Sequence, residues 1–149
     1  MASAEKTYVD PSALRSLCLH DDRSRAFCAF RAHLGGSLPL RIHGRTELVN
    51  SIALAVFRRD ISPEAYQQAL VNLDTDLADG QLHIADMLWR KTLQRAAELS
   101  REHTPTLGTR TLDVLHVASA LVLRCRSFVT YDDRQAALAL AVGLRLVQP

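Results

Sequence analysis

The stretch from Thr109 to Leu121 is apolar almost all the way round a helix, the pattern of a helix that ends up in the interior. It nevertheless carries a carboxylate, Asp113, in its first turn, where core packing has no use for one. Soon after comes Phe128-Val129-Thr130, which reads as a short buried strand, and then Tyr131-Asp132-Asp133-Arg134, where the chain turns into another helix. A fold organised around this pair must bury a helix and a strand side by side and deliver acids to one edge of that core.

The rest of the chain supplies alternating partners. Thr7-Tyr8-Val9 is a β-prone run ending at Asp10-Pro11, where Pro suits the first helical position and Asp suits the cap. A short helix over residues 13–18 is broken at His20-Asp21-Asp22 and followed by a second over 23–34, which Gly35-Gly36-Ser37 closes. Residues 38–42 predict a second strand, ended by Gly44. Thr46 is placed to cap a helix running through Arg59, with Glu47 in its first turn. Ser62-Pro63 opens the next helix, which runs toward Gly80. Residues 82–84 predict a weak third strand, 87–102 a helix, 103–108 a loop around Pro105, 134–142 a last helix stopped by Gly143, and 144–147 a last strand. Strands alternating with helices predict an α/β fold around a mainly parallel sheet, and 149 residues without a linker or repeat fit one domain, residues 1–149.

Four carboxylates, Asp10, Glu47, Asp113 and Asp132, each fall at or near an expected helix start. In α/β folds those starts follow the C-terminal ends of strands, the edge where ligands bind. Two carboxylates about 4 Å apart repel by roughly 4 kcal/mol at an effective dielectric near 20, so a convergent set calls for a counter-charge. Oxygen donors without a Cys or His partner select Mg²⁺ or Mn²⁺ over zinc, and such an ion can orient water and stabilise charge on a scissile phosphate. Each acid taken singly also has a structural reading, since Asp and Glu favour helix starts for capping and dipole reasons. Asp133 competes with Asp132 for the fourth position, although Thr130 and Asp133 have the spacing of a capping box.

Other features exclude more than they assign. Cys18, Cys28 and Cys125 show neither a disulfide framework nor zinc spacing and read as core-filling thiols. A net charge of +2 is too small to argue nucleic-acid binding, and the dominance of Arg among the basic residues, 16 of 18, suits phosphate contact. No apolar run reaches membrane-spanning length and the first residues do not form a hydrophobic leader, so the expectation is a cytoplasmic chain with no membrane partner. His116, one turn beyond Asp113 and flanked by Leu115 and Val117, reads as a hydrogen-bonded core histidine. Ser12 and Thr130 either hold carboxylates or cap helices. Arg45, Arg110 and Arg134 either grip phosphate or pair with the acids. Trp89 and Tyr66 read as core or interface aromatics. Asp74, Asp76 and Asp79 lack the turn of a calcium loop and read as a solvated helix face.

Asp113-x-x-His116-x-Ala118-x-Ala120 followed by Phe128-Val129-Thr130-Tyr131-Asp132-Asp133, with Tyr8-Val9-Asp10-Pro11-Ser12 and Thr46-Glu47-Leu48 upstream, resembles the PIN-domain ribonucleases over nearly the whole chain. The compact size is most similar to the VapC-type toxins of VapBC toxin-antitoxin systems. The resemblance implies a three-layer α/β/α domain with a central parallel sheet of about five strands, the first beside the fourth. It implies a metal-dependent endoribonuclease acting on single-stranded or structured RNA, with Asp10, Glu47, Asp113 and Asp132 as catalytic metal ligands for Mg²⁺ or Mn²⁺. It further implies a homodimer silenced by a small antitoxin protein, and the helices bearing Phe27, Phe30, Val56, Phe57 and Tyr66 offer apolar surface for partners. The alternatives are a catalytically silent PIN-like module that binds RNA or protein, and a metal-dependent phosphatase. The latter is disfavoured because Asp10-Pro11-Ser12 lacks an Asp-x-Asp pair.

Overall fold

Thr7–Val9 (β1) and Ser127–Val129 (β4) are short, apolar and rich in β-branched or aromatic residues, and they pair in parallel with Tyr8 opposite Phe128 and Val9 opposite Val129. Arg145–Val147 (β5) adds to the other side of β4, giving the order β1-β4-β5. Side chains alternate across such a sheet. Val9 and Val129 therefore enter one core, whereas Tyr8 and Phe128 enter another on the opposite face.

The computed structural model describes residues 3–149. After β1 come Pro11–Cys18 (α1), Ser24–Ala32 (α2), Leu38–Arg41 (β2), Ile42–Phe57 (α3), Pro63–Ala78 (α4) and Leu82–Ala85 (β3). Then follow Trp89–Leu107 (α5), Thr111–Val122 (α6), β4, Asp133–Ala141 (α7) and β5. The first core is built from α1 to α4 around Leu14, Phe27, Leu48, Ile52 and Leu73. The second is built from α5 to α7 around Leu99, Val117 and Leu138. The result is an α/β fold in which every ladder is parallel. The predicted adjacency of the first and fourth strands is present.

Four expectations need correction. The strands do not form one sheet of five: among the described residues β2 pairs only with β3, in a two-stranded sheet that shares no ladder with β1-β4-β5. The helix carrying Glu47 begins at Ile42, directly after β2, so Thr46 is not its cap and Glu47 lies in the second turn instead of the first. Gly44 does not end the strand; it sits buried inside α3, close to Pro11 and His116. One glycine costs a helix only about 1 kcal/mol, and burial of Leu48 and Ile52 along the same helix outweighs that. Helix α5 likewise runs through Pro105 to Gly108, whose φ of 65° closes it in the left-handed conformation. Pro105 removes a single backbone bond in the last turn, near solvent, so the loop expected there does not form.

The thiols and the partner surface also differ. Cys18 and Cys125 are buried, but Cys28 is exposed and fills no core. Phe27 is fully buried, Phe30 and Tyr66 pack against the first core, and Phe57 is left 81% exposed. Leu88 and Leu93 are also exposed, and the exposed Ile42, Trp89 and Leu112 line one groove. Among the described residues no helix is long and apolar enough to cross a membrane.

Phe128, with no exposed surface, joins the central strand to the second core and stacks on Tyr8 with ring centroids 5.3 Å apart. Phe128→Ala should lower the unfolding free energy by about 3–5 kcal/mol, read as a lower urea midpoint at unchanged slope. A loss below about 1 kcal/mol would mean that this face does not carry the packing described.

Candidate active site

The site is built at the C-terminal edge of β1 and β4, where parallel strands present adjacent loop starts. Asp10 follows β1, with its backbone N–H donating to the Val129 carbonyl at 3.0 Å. Its side chain caps α1, for Oδ1 accepts from the Ser12 N–H at 2.8 Å. Capping leaves Oδ2 unexplained, and two hydroxyls donate to it: Ser12 Oγ at 2.6 Å and Thr130 Oγ1 from the end of β4. Both hydroxyls are also tied to the next turn, Ser12 Oγ accepting from the Tyr131 N–H at 3.0 Å and Thr130 Oγ1 from the Asp132 N–H at 3.0 Å. The two readings of Ser12 and Thr130 thus resolve in favour of holding a carboxylate.

Asp10 is fully buried. Burial pushes its pKa above the usual carboxylate value, opposed by the nearby His116 and by the bonds from Ser12 and Thr130. Hydrogen bonds to a charged group contribute about 1.5–3 kcal/mol each, while taking a carboxylate out of water costs several. Burial outweighs these donors, and Asp10 holds its proton more tightly than a free carboxylate does.

Asp113 occupies the first turn of α6 and is also buried. Its Oδ2 accepts from the Arg110 N–H at 2.9 Å and meets Arg110 Nε at 3.4 Å, so it does have a structural task in starting its own helix. Its Oδ1 lies 3.5 Å from Gln135 Nε2, and Gln135 Oε1 lies 3.5 Å from Thr130 Oγ1. Asp132 caps α7, accepting at Oδ1 from the N–H groups of Arg134 (2.9 Å) and Gln135 (3.1 Å). Its Oδ2 faces Arg110 Nη2 at 3.6 Å. Asp132, not Asp133, is therefore the cap, and the expected Thr130–Asp133 capping box is absent because Asp133 is already the first helical residue. Thr130 and Arg110 thus string Asp10, Asp132 and Asp113 into one network, with the Gln135 amide against Asp113. Arg110 is the arginine that pairs with acids; neither Arg45 nor Arg134 forms an ion pair among the described residues.

Glu47, on α3, shares no hydrogen bond or ion pair with that network among the described residues. Its Oε2 lies 2.5 Å from Nε2 of His116, which is fully buried one turn beyond Asp113. His116 is thus the hydrogen-bonded core histidine its flanks implied. Its Nδ1 meets the Tyr8 hydroxyl at 2.8 Å. The His43 ring stacks on His116 at 4.8 Å, and burial together with the neighbouring His116 pushes the His43 pKa down to about 4.

Two concavities flank the acids. One, about 410 Å³, is lined by Arg15, Arg23 and Tyr131 together with Asp21, Asp22 and Asp132, with the Arg23 guanidinium 4.2 Å above the Tyr131 ring. The other, about 460 Å³ and mainly apolar, holds Ile42, Trp89 and Leu112 with Glu47 and Asn50. Trp89 is half-exposed there and belongs to a groove, not to the core.

The donor set is all carboxylate and so fits a hard divalent cation by chemistry. Among the described residues, however, no three His, Cys, Asp or Glu side chains stand together as a ready ligand group. Mg²⁺ accommodates this, since it keeps several waters and is commonly held by only one or two carboxylates. Sequence reasoning missed Gln135 and Tyr8. Gln135 had a signal, a polar residue on the stripe of α7 that otherwise buries Ala136, Leu138 and Ala139. Tyr8 had none, because an aromatic in a strand is ordinary core.

The burial of Asp10 sets a direction for stability against pH. Folded Asp10 holds its proton more tightly than the unfolded chain does, so stability falls as pH rises from 3.8 through the folded pKa and then levels. Asp10→Asn lacks this contribution. In EDTA, the unfolding free energy of the variant relative to the parent should rise across that interval, measured by urea titration at several pH values. A constant difference would contradict the buried-carboxylate account.

Compared with family models and with curated proteins, the chain has no match, and the reading of this site rests on its geometry and chemistry.

Proposed function

We propose that the chain is a Mg²⁺- or Mn²⁺-dependent endoribonuclease of PIN-like, three-layer architecture, hydrolysing phosphodiester bonds in single-stranded or structured RNA. The carrying observation is Asp10, a fully buried carboxylate at the end of a central strand, held by hydroxyls from two elements and linked to Asp113 and Asp132. A helix cap needs only the bond from the Ser12 N–H; the rest of this arrangement orients a charged oxygen.

Asp10, Asp113 and Asp132, with Glu47 from α3, would hold the ion through their oxygens and intervening water. The ion would supply Lewis-acid polarisation of the phosphate and a more acidic bound water. The chain's own groups then have separate tasks. Ser12 and Thr130 keep the Asp10 carboxylate in one orientation. Gln135 and Arg110 space Asp113 and Asp132. Arg110, with a side chain 65% exposed, is placed to meet a phosphate while limiting repulsion between the two aspartates. The hollow bearing Arg15, Arg23 and Tyr131 is also lined by Asp132, and the groove bearing Trp89 by Glu47. The two guanidiniums, set beside Asp21 and Asp22, and the two aromatic rings offer phosphate and base contacts to an unpaired strand.

The toxin role, in a cytoplasmic homodimer controlled by a small antitoxin, belongs to the same proposal and rests on the sequence resemblance. The exposed apolar residues Phe57, Leu93 and Leu112 are available to such partners. The second reading is a catalytically silent module that binds RNA or protein. It is favoured by one observation, the separate structural task that Asp113 and Asp132 each perform at a helix start.

Asp10→Asn separates the two readings. Asn caps a helix about as well as Asp, so folding should survive, while cleavage of single-stranded RNA in Mg²⁺ or Mn²⁺ should fall by about 10²-fold or more, roughly 2.7 kcal/mol of barrier. EDTA should abolish the parent's activity. Equal cleavage by parent and variant would refute the assigned site, and cleavage indifferent to EDTA would refute the metal.

A further inference from the structure

We infer that His116, backed by Tyr8, is the positioning residue for Glu47, so that the catalytic carboxylate from α3 is aimed by a buried Tyr8–His116–Glu47 chain; this rests on the nuclease reading above. His116 has no exposed surface and sits in a helix otherwise packed with Val114, Val117 and Ala118. An imidazole in such surroundings is tolerated only when its nitrogens are satisfied. Both are, by Tyr8 at 2.8 Å and Glu47 at 2.5 Å. An ionised carboxylate can only accept, so Nε2 carries the proton given to Glu47. The other nitrogen, Nδ1, is held by the Tyr8 hydroxyl.

The chain spans the two cores. Tyr8 packs flat on Phe128 in the second core, and His116 rises from α6 beside it. Glu47 extends from α3, whose Leu48 and Ile52 belong to the first core. The His116–Glu47 bond therefore ties the two halves together at the acid site. His43 stacks on the imidazole at 4.8 Å, and its Nε2 lies 3.3 Å from the Tyr8 oxygen, so the ring is held on its face as well as at both nitrogens. Glu47 by contrast is a flexible side chain with 29% of its surface exposed. Anchoring Oε2 selects one of its many rotamers and leaves Oε1 without a protein donor among the described residues.

The test is a set of four variants of the full chain, His116→Leu, His116→Gln, Tyr8→Phe and Glu47→Gln, with the His116→Leu/Glu47→Gln double variant. Three quantities are measured on each: Mn²⁺ affinity by calorimetry without RNA, kcat and KM for single-stranded RNA, and Tm. His116→Leu takes a partner from the buried Tyr8 hydroxyl and cuts the tie between the two cores, so its Tm should fall while the chain still folds. It should bind Mn²⁺ and turn over roughly 10- to 100-fold less well, with KM for RNA unchanged. His116→Gln, which retains an N–H within reach of Glu47, should recover most of that loss, and Tyr8→Phe should fall between. In the Glu47→Gln background, His116→Leu should add little, because both changes break the same interaction.

His116→Leu with parental affinity and kcat would overturn the inference, as would losses that simply multiply in the double variant. If His116→Leu does not fold, His116→Gln and Tyr8→Phe decide by the same criteria. A parent that neither binds Mn²⁺ nor cleaves RNA would instead bring down the nuclease reading, and this inference with it.

Discussion

The structure depends on one unfavourable group held in place: a carboxylate with no exposed surface at the end of the central strand. Asp10 starts α1, faces the hydroxyl at the end of β4 and touches the turn into α7 through Ser12 and Thr130. Two segments far apart in sequence, residues 10–12 and 129–132, therefore meet at one anion. Its burial works against the charged form, and the remedies are local: a helix start, two hydroxyls and a nearby imidazole. Ser12 and Thr130 bond simultaneously to Asp10 and to the backbone of residues 131 and 132, so moving Asp10 would also loosen the turn that positions Asp132.

Around that centre the other acids are held in different ways. Asp113 and Asp132 are fixed by the backbone of their own helix starts and share Arg110. Their structural and chemical roles coincide, because the dipole at a helix start favours an ionised carboxylate whether it caps the helix or meets a ligand. Glu47 differs: it comes from the second turn of α3, and among the described residues its side chain is held by His116. In the proposed site, three aspartates fixed by their own helix starts would act with one glutamate whose placement depends on contact between two separate cores.

What could be read in the sequence followed the range of the interactions involved. Asp10-Pro11 and Ser62-Pro63 announce helix starts through contacts within three residues, and both helices begin there. The apolar helix of α6 and the strand Phe128-Val129 were legible from composition alone, since burial on all sides leaves no polar stripe. Gly44 and Pro105 misled because local propensity was outweighed by tertiary burial in one case and made harmless by a helix end in the other. The division into sheets of three and two strands was illegible, because ladder formation between β1 and β2 depends on how closely two strands approach, which no residue pattern encodes. At the site, residue types were readable and partners were not: nothing near Glu47 in sequence points to His116, 69 positions away.

The central claim is that the acids around Asp10 form a cation site and not merely a set of helix caps. The most direct measurement is anomalous diffraction from a crystal of the parent chain soaked in Mn²⁺. The account predicts a strong anomalous peak within direct or water-bridged reach of the Asp10, Glu47, Asp113 and Asp132 oxygens. A crystal saturated with Mn²⁺ that shows no peak there, with Asp10 still bound only by Ser12 and Thr130, would contradict it.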